Sequence, residues 1–385
     1  MLTKINFLTS GESHGKALVG IIEGIPAGLK IDEQYIFKEL KRRQAGYGRG
    51  KRMQIETDFA QILSGVRDGK TIGSPIALII ENKDWKNWKN KMSIEKMEKV
   101  KKITLPRPGH ADLAGVQKFD FDDIRNVIER SSARETAMRV AIGSICRKFL
   151  KEIGIEVGSF VNRIHNISDN SDAIKKYSPE KINFKADRSQ VRCINKESEK
   201  LMIEQIDLAK SKGDSVGGEF TVIASNLPYG LGSYSQWYKK LHARISYVMM
   251  SINAFKGIEF GLGFKSANQF GSETHDEIVF KNNKYIRLTN NAGGIEGGIS
   301  NGQPIIIKMV MKPIPTLIKP LRSVDIKTKK ALLAHKERTD SCAVPAASII
   351  SESMLSIVLC DALLEKFGGD SIIQFKSHIK ASGKY

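Results

Sequence analysis

The chain has few cysteines: Cys146, Cys193, Cys342 and Cys360 in 385 residues, far apart and without a C-x-x-C. That argues against a zinc knuckle or a disulfide framework, and no metal site is expected. No apolar run is expected to be long enough to cross a bilayer. Residues 1–8 lack the basic region, apolar core and cleavage site of a secretory leader. A cytoplasmic location is the resulting expectation. No Pro/Ser/Gly-rich linker or low-complexity tract divides the sequence, so one intertwined domain over residues 1–385 is expected. Acidic residues are also scarce: 42 Asp and Glu stand against 61 Lys and Arg, a net charge of +19. Such a surplus points to an anionic partner: nucleic acid, a membrane surface or a small polyanion.

What is present is ordinary globular material, 41% hydrophobic and 27% charged. β-branched runs bounded by Gly or Pro predict strands in KALVGIIEGI, SPIALIIEN, GGEFTVIAS and QPIIIKMVM. Helical periodicity predicts helices over 32–43, 122–152, roughly 194–212, 235–254, 324–336 and 344–367. Residues 163–190 are polar and read as a surface excursion. GKTIGSPIALIIENKD and GISNGQPIIIKMVMKP share a Gly, a Pro two residues on and a β run, a weak internal echo. The lysine-rich segment 83–102 reads as a solvated surface. Its interleaved Trp85 and Trp88 also fit a single-strand nucleic-acid site, the alternative reading for the whole chain.

GESHG (11–15) matches the G-x-S-x-G nucleophile elbow. An elbow needs a helix directly after the Ser, and ALVGIIE favours a strand. The match is therefore read as accidental, which moves attention from Ser13 to His14 in a glycine-flanked turn. LPRPGHADLAG sets His110 behind two prolines, with Arg107 nearby and Asp112 able to orient or charge the imidazole. In RSSARETA, Ser132 and Glu135 fit a capping box opening a helix that buries Met138, Ala141, Ile142, Ile145 and Phe149. Arg130 and Arg134 flank that positive helix end, where an anion would neutralise them; pairing with Glu129 and Glu135 is the plainer reading. KRRQAGYGRGKRMQIETD gathers Arg42, Arg43, Arg49 and Arg52 around three glycines but is neither a Walker loop nor G-x-G-x-x-G. NNAGGIEGGISNG is a second glycine-rich stretch, where backbone can approach a flat ligand. Lys312 precedes the stiff PIP of KPIPTL, and Arg338 and Asp340 precede a helix that Val344-Pro345 opens.

Together these stretches resemble the chorismate synthase family over about residues 5–370. The carrying motifs are GESHG (11–15), RRQAGYGRG (42–50), ILSGVRDG (62–69), RPGHADLAG (107–115), RSSARETA (130–137), GDSVGGEF (213–220), MSINAFKG (250–257), NAGGIEGGISNG (291–302), KPIPTL (312–317) and RTDSCAVPAA (338–347). The resemblance implies an α+β fold with helices sandwiched between antiparallel β-sheets, and a homotetramer. It implies conversion of 5-enolpyruvylshikimate 3-phosphate to chorismate and phosphate, a 1,4-anti elimination using reduced FMN without net redox change. NADPH or an external reductase would reduce the flavin. In this resemblance His14 is the acid for the departing phosphate, His110 protonates or balances the flavin near N1, and Asp340 takes a proton from flavin N5. Arg43, Arg49, Arg107 and Arg134 clamp the substrate, with residues 42–52 as a mobile active-site loop. FMN contacts fall on Arg130, Ser131, Ser132, Asn253, Ala254, Gly297, Lys312, Pro313, Ile314, Pro315, Thr316 and Arg338. Both ligands are polyanions suited to arginine, so the charge then requires neither nucleic acid nor membrane. Ile72 and His242 depart from the family pattern, in T-T-G and where Asp is common.

Overall fold

The computed structural model describes residues 2–50, 56–96, 100–337 and 340–382. Strand Ala17–Glu23 shows the driving pattern: Leu18 and Ile22 are fully buried while Val19 and Ile21 face outward. This period of two makes one face of a sheet apolar and forces it against another layer. The strand sits in an antiparallel four-stranded sheet ordered Asn6–Ser10, Ala17–Glu23, Ile76–Glu81, Ala60–Ile62. A second antiparallel sheet is ordered Phe255–Phe260, Ile305–Met311, Gly218–Ser225, Glu156–Ile164, Ile167–Ser168.

Two helices fill the space between the sheets. Thr136–Lys151 lies on the four-stranded sheet, Val344–Phe367 lies on the five-stranded one, and the helices pack on each other. They approach closely at Gly143, where a Cβ would stand 2.5 Å from Cβ of Ser353. The expected α+β arrangement of helices between antiparallel sheets is thus observed. The expected apolar face of Met138, Ala141, Ile142, Ile145 and Phe149 is wholly buried.

Helix Val344–Phe367 corrects the expectation about apolar runs: by length and composition it could cross a membrane. Every residue from Val344 to Leu364 is instead buried inside the protein. Its serines 348, 351, 353 and 356 satisfy themselves on carbonyls three or four residues back. Glu352 is held in its middle by Arg42 (2.9 Å), Arg192 (3.3 Å), Arg147 and Ser159 Oγ (2.5 Å). Burial works against that charge, yet the three guanidiniums hold it well below the usual carboxylate range.

Several predicted elements differ. Residues 324–336 form no helix but the hairpin Arg322–Val324 with Ala331–Leu333. Asp325 Oδ1 accepts from the N–H groups of Lys327 and Thr328, both at 2.8 Å, and this side-chain turn displaces the helix. The run 122–152 breaks at Ser132, whose extended backbone separates Arg125–Ser131 from a short 3₁₀ turn and Thr136–Lys151. The 235–254 helix shrinks to Leu241–Met250. Segment 163–190 is more than a surface excursion, since helix Pro179–Ala186 packs Ile182 and Ala186 on Phe160 and Ile223. The internal echo has a counterpart in local plan. A two-residue hairpin precedes Ile76–Glu81 and another precedes Ile305–Met311, each an inner strand of its sheet.

Candidate active site

The N-termini of the two central helices open into one cavity of about 650 Å³, lined by Thr136, Ala343, Ala346 and Ala347 among others. Each terminus presents the positive end of a helix dipole, a setting that favours anions. His14, His110 and Asp340 all line this cavity, as do Arg43, Arg49, Arg107 and Arg134. Five segments far apart in sequence therefore bring the expected acid–base and guanidinium groups together.

His14 sits in the turn before strand Ala17–Glu23, so no helix follows Ser13 and the elbow geometry is absent. Gly11 makes that turn possible, with φ +102° and an approach so close that a Cβ would stand 2.3 Å from the carbonyl oxygen of Ala17. The His14 backbone N–H donates to Glu129 Oε2 at 2.7 Å, and its ring Nδ1 lies 2.9 Å from Glu129 Oε1. Burial would raise the Glu129 carboxyl, but the bonds to His14 and the charge of Arg125 hold it below its ordinary range. A carboxylate so placed fixes one imidazole tautomer, with the proton on Nδ1. The other face of the arrangement is Trp88, whose ring stacks on His14 at 3.8 Å between centroids.

His110 forms a second pair. Its Nδ1 lies 2.6 Å from Asp112 Oδ1. Arg107 grips the same carboxylate through Nε at 2.8 Å and Nη2 at 3.0 Å, and reaches Thr316 Oγ1 with Nη1 at 2.8 Å. Asp112 is fully buried, and burial opposes its charge; His110 and Arg107 nevertheless hold it well below the usual range. Lys312 Nζ donates to the Gly109 carbonyl at 2.6 Å, tying the KPIPTL strand end to this turn.

The arginines are not bare. Arg43 bonds Thr136 Oγ1 at 2.9 Å and the Ala133 carbonyl at 3.0 Å, with Asp58 at 3.4 Å. Burial pushes its guanidinium down to about 10, so it stays charged at neutral pH. Arg134 does not pair with Glu135. It pairs with Asp58 and Asn82, while Nη2 stays buried without a hydrogen-bond partner, 3.7 Å from Glu56. Glu129 turns to His14 and Arg125, and Glu135 to Arg139. Arg49 pairs with Asp340 at 3.1 Å, and the Gly50 N–H donates to the same carboxylate at 2.6 Å.

Of the residues expected around a flavin, Ser131, Ser132, Asn253, Ala254, Lys312, Ile314, Pro315 and Thr316 line the cavity. Asn253 donates to the Ser131 carbonyl, and its Oδ1 is buried without a partner, an acceptor suited to a ligand's N–H. Arg130 instead runs along the surface to the carbonyls of Thr9 and Gly11, because its own helix turns it outward. Gly297 lies in the hairpin between Ile295–Glu296 and Ile299–Ser300, away from the cavity wall. Pro313 is also outside the lining, its neighbours on either side within it. Arg338 and Arg52, with the second part of the 42–52 loop, fall outside the described residues. Ile72 and His242 do not line the cavity.

Trp88, Glu129, Arg125, Asp58, His335 and Glu337 belong to the site but were not singled out for it. Burial of Asp84 at the head of Trp85–Trp88 turns that segment inward at one point, while its lysines stay exposed. Trp88 is thus half-buried, with one ring face against His14.

A basic cavity at two helix N-termini, holding two imidazoles each fixed by a buried carboxylate, defines an enzyme that moves protons on an anionic substrate. The comparisons give this class a family. Residues 5–364 match the family model described as Chorismate synthase. The chain is 54% identical over 387 residues to the chorismate synthase of Aquifex aeolicus, covering 98% of this chain and 97% of that one. It is 54% identical to that of Alkaliphilus metalliredigens over 381 residues, 97% of this chain and 98% of the other. A solved structure titled "Crystal Structure of Chorismate Synthase" superposes with a TM-score of 0.81 at 44% identity, over 99% of this chain and 98% of that one. The chain belongs to the chorismate synthase family and is an enzyme of the lyase class.

Proposed function

We propose that the cavity converts 5-enolpyruvylshikimate 3-phosphate to chorismate and phosphate by 1,4-anti elimination, with reduced FMN bound beside the substrate. The observation that carries this reading is the shared cavity, which presents His14–Glu129 and His110–Asp112 together with Arg43, Arg49, Arg107 and Arg134. The wall fits a flavin: Asn253 Oδ1 is an orphaned buried acceptor, and Ala254 and the 312–316 backbone offer an uncharged face. Asn253, Ala254, Lys312, Ile314, Pro315 and Thr316 would hold it. When bound, reduced FMN supplies an electron-rich partner that donates transiently and is restored, so the reaction has no net redox change. An outside donor, NADPH or a reductase, keeps it reduced.

The chain's own groups do the rest. Phosphate leaves poorly while fully charged, and His14, acting as the imidazolium whose Nδ1–H is held by Glu129, gives its Nε2 proton to the departing group and is left as the neutral Nδ1–H ring. Arg43, Arg49 and Arg134 bind the phosphate and carboxylates, and Nη2 of Arg134 is an unused donor there. Arg107 orients Asp112, which in turn orients His110, and His110 is the group that would protonate or balance the flavin near N1. Asp340, anchored by the Gly50 N–H and Arg49, accepts a proton within the cavity. The test is anaerobic incubation with substrate and reduced FMN. One phosphate released per chorismate supports the reading; tight, salt-sensitive oligonucleotide binding with no phosphate released overturns it.

We also propose a homotetramer. The outer face of the four-stranded sheet exposes Leu8 (76%), Ile21 (44%) and Leu63 (60%), an apolar surface suited to a second copy of the chain.

A further inference from the structure

The short helix Trp85–Trp88 has no part in the reaction as described above, yet it delivers an indole to the acid. The Trp88 ring lies over the His14 imidazole at 3.8 Å between centroids, with the planes inclined by 22°. The indole is itself fixed: Nε1–H donates to Asp84 Oδ2 at 3.2 Å, and Asp84 is 1% exposed. The backbone N–H of Lys83 in turn donates to Glu56 Oε2 at 3.0 Å, which ties this turn to the cavity wall. The Arg125 guanidinium lies 5.0 Å from the indole centroid and bonds both Glu129 and Glu337.

A carboxylate on Nδ1 fixes one edge of an imidazole but leaves the ring able to swing about that contact. Such a swing would carry Nε2 off line with a leaving oxygen. A flat ring against the imidazole face removes this freedom. We propose that Trp88 is the positioning residue of His14, setting the plane of the ring while Glu129 sets its tautomer. This rests on the reading of His14 as the phosphate-side acid. In this role Trp88 acts through His14 and not on the substrate itself.

Two measurements test it. In a Trp85→Phe/Trp237→Phe background, Trp88 is the sole indole, and a stacked imidazole quenches its emission on protonation. Besides His14, the charged groups that bond to or stack on the pair among the described residues include Glu129, Asp84, Arg125 and Lys91, at 5.1 Å, whose side-chain types titrate outside pH 5–8. His335 reaches Glu337, the other partner of Arg125, so His335→Gln is the control. An emission change between pH 5 and 8 that survives His335→Gln and vanishes in His14→Gln supports the stack; a flat profile, or one unaffected by His14→Gln, overturns it.

The second measurement is turnover. Trp88→Phe keeps a flat ring and should stay within about 3-fold of wild type, whereas Trp88→Leu should lose about 10- to 100-fold in kcat with little change in KM, the scale of a small misplacement. Equal turnover in the two variants, or a loss confined to KM, overturns the positioning role. A wild type that releases no phosphate overturns the lyase reading and the role together, while failure of the Phe/Leu contrast alone overturns only the role.

Discussion

At His14 and His110 the same device appears twice: a buried carboxylate, held ionised by neighbouring cations, takes the Nδ1 edge of the ring. The two pairs differ in what backs the carboxylate, Arg125 for Glu129 and Arg107 for Asp112. Removing either imidazole should cost about 10²–10⁴ in rate, the scale of general acid–base catalysis. Anaerobic phosphate release by His14→Ala and His110→Ala checks this, and wild-type turnover in both would remove their roles. Arg49→Ala should weaken substrate far more than FMN, because Arg49 pairs with Asp340 beside the Gly50 turn. Titrating each ligand separately measures this, and equal losses would mean that Arg49 faces both ligands. Much of this scale was legible in sequence. Asp112 lies two residues from His110, and a short spacing in a stiff turn implies contact. Glu129 and Trp88 were not legible as partners of His14, since 115 and 74 positions separate them and only the fold closes those distances.

The elements show how a buried charge can serve as a joint. Glu352 links the helix Glu33–Gln44 through Arg42, the helix Thr136–Lys151 through Arg147, and the 187–193 turn through Arg192. Arg42 adjoins Arg43, so this joint also carries one wall of the cavity. Glu352→Ala would leave three cations without their shared partner and should cost about 3–5 kcal/mol, read from the urea midpoint at pH 7. The pH dependence has a definite sign. The folded-state value of Glu352 lies below the unfolded value of about 4.3, so its contribution is complete above that value and is lost as pH falls through the folded one. Urea midpoints between pH 5 and 2.5 should therefore fall less steeply in Glu352→Gln than in wild type; identical slopes would remove Glu352 from the acid response. Element boundaries were less legible than element types. Strands with clean alternation stood where expected. Residues 324–336 and 122–132 departed because Asp325 and Ser132 offer side-chain bonds that compete with a continuing helix.

Across the whole molecule, the sheets outside and the helices within make two demands of one fold. The inner layer must be apolar enough to bury Val344–Phe367, and its open end must be polar enough to receive anions. The outer face of the four-stranded sheet meets neither demand, and its exposed Leu8 and Ile21 are the feature the tetramer proposal uses. Ile21→Lys should lower the mass measured by light scattering below that of four chains while leaving far-ultraviolet circular dichroism unchanged. An unaltered tetramer would move the interface elsewhere. Assembly of this kind is hard to read from sequence, since Val19 and Ile21 alternate like any half-buried strand and nothing local says what covers them.

The central claim is that one cavity holds substrate and flavin together, with an imidazole at each. The most direct measurement is a crystal structure of the protein with FMN and 5-enolpyruvylshikimate 3-phosphate bound. The account predicts both ligands inside the cavity at the two helix N-termini, His14 Nε2 within hydrogen-bond reach of the phosphate ester and His110 beside the flavin. Either ligand seated elsewhere, or the two imidazoles on the same ligand, would contradict it.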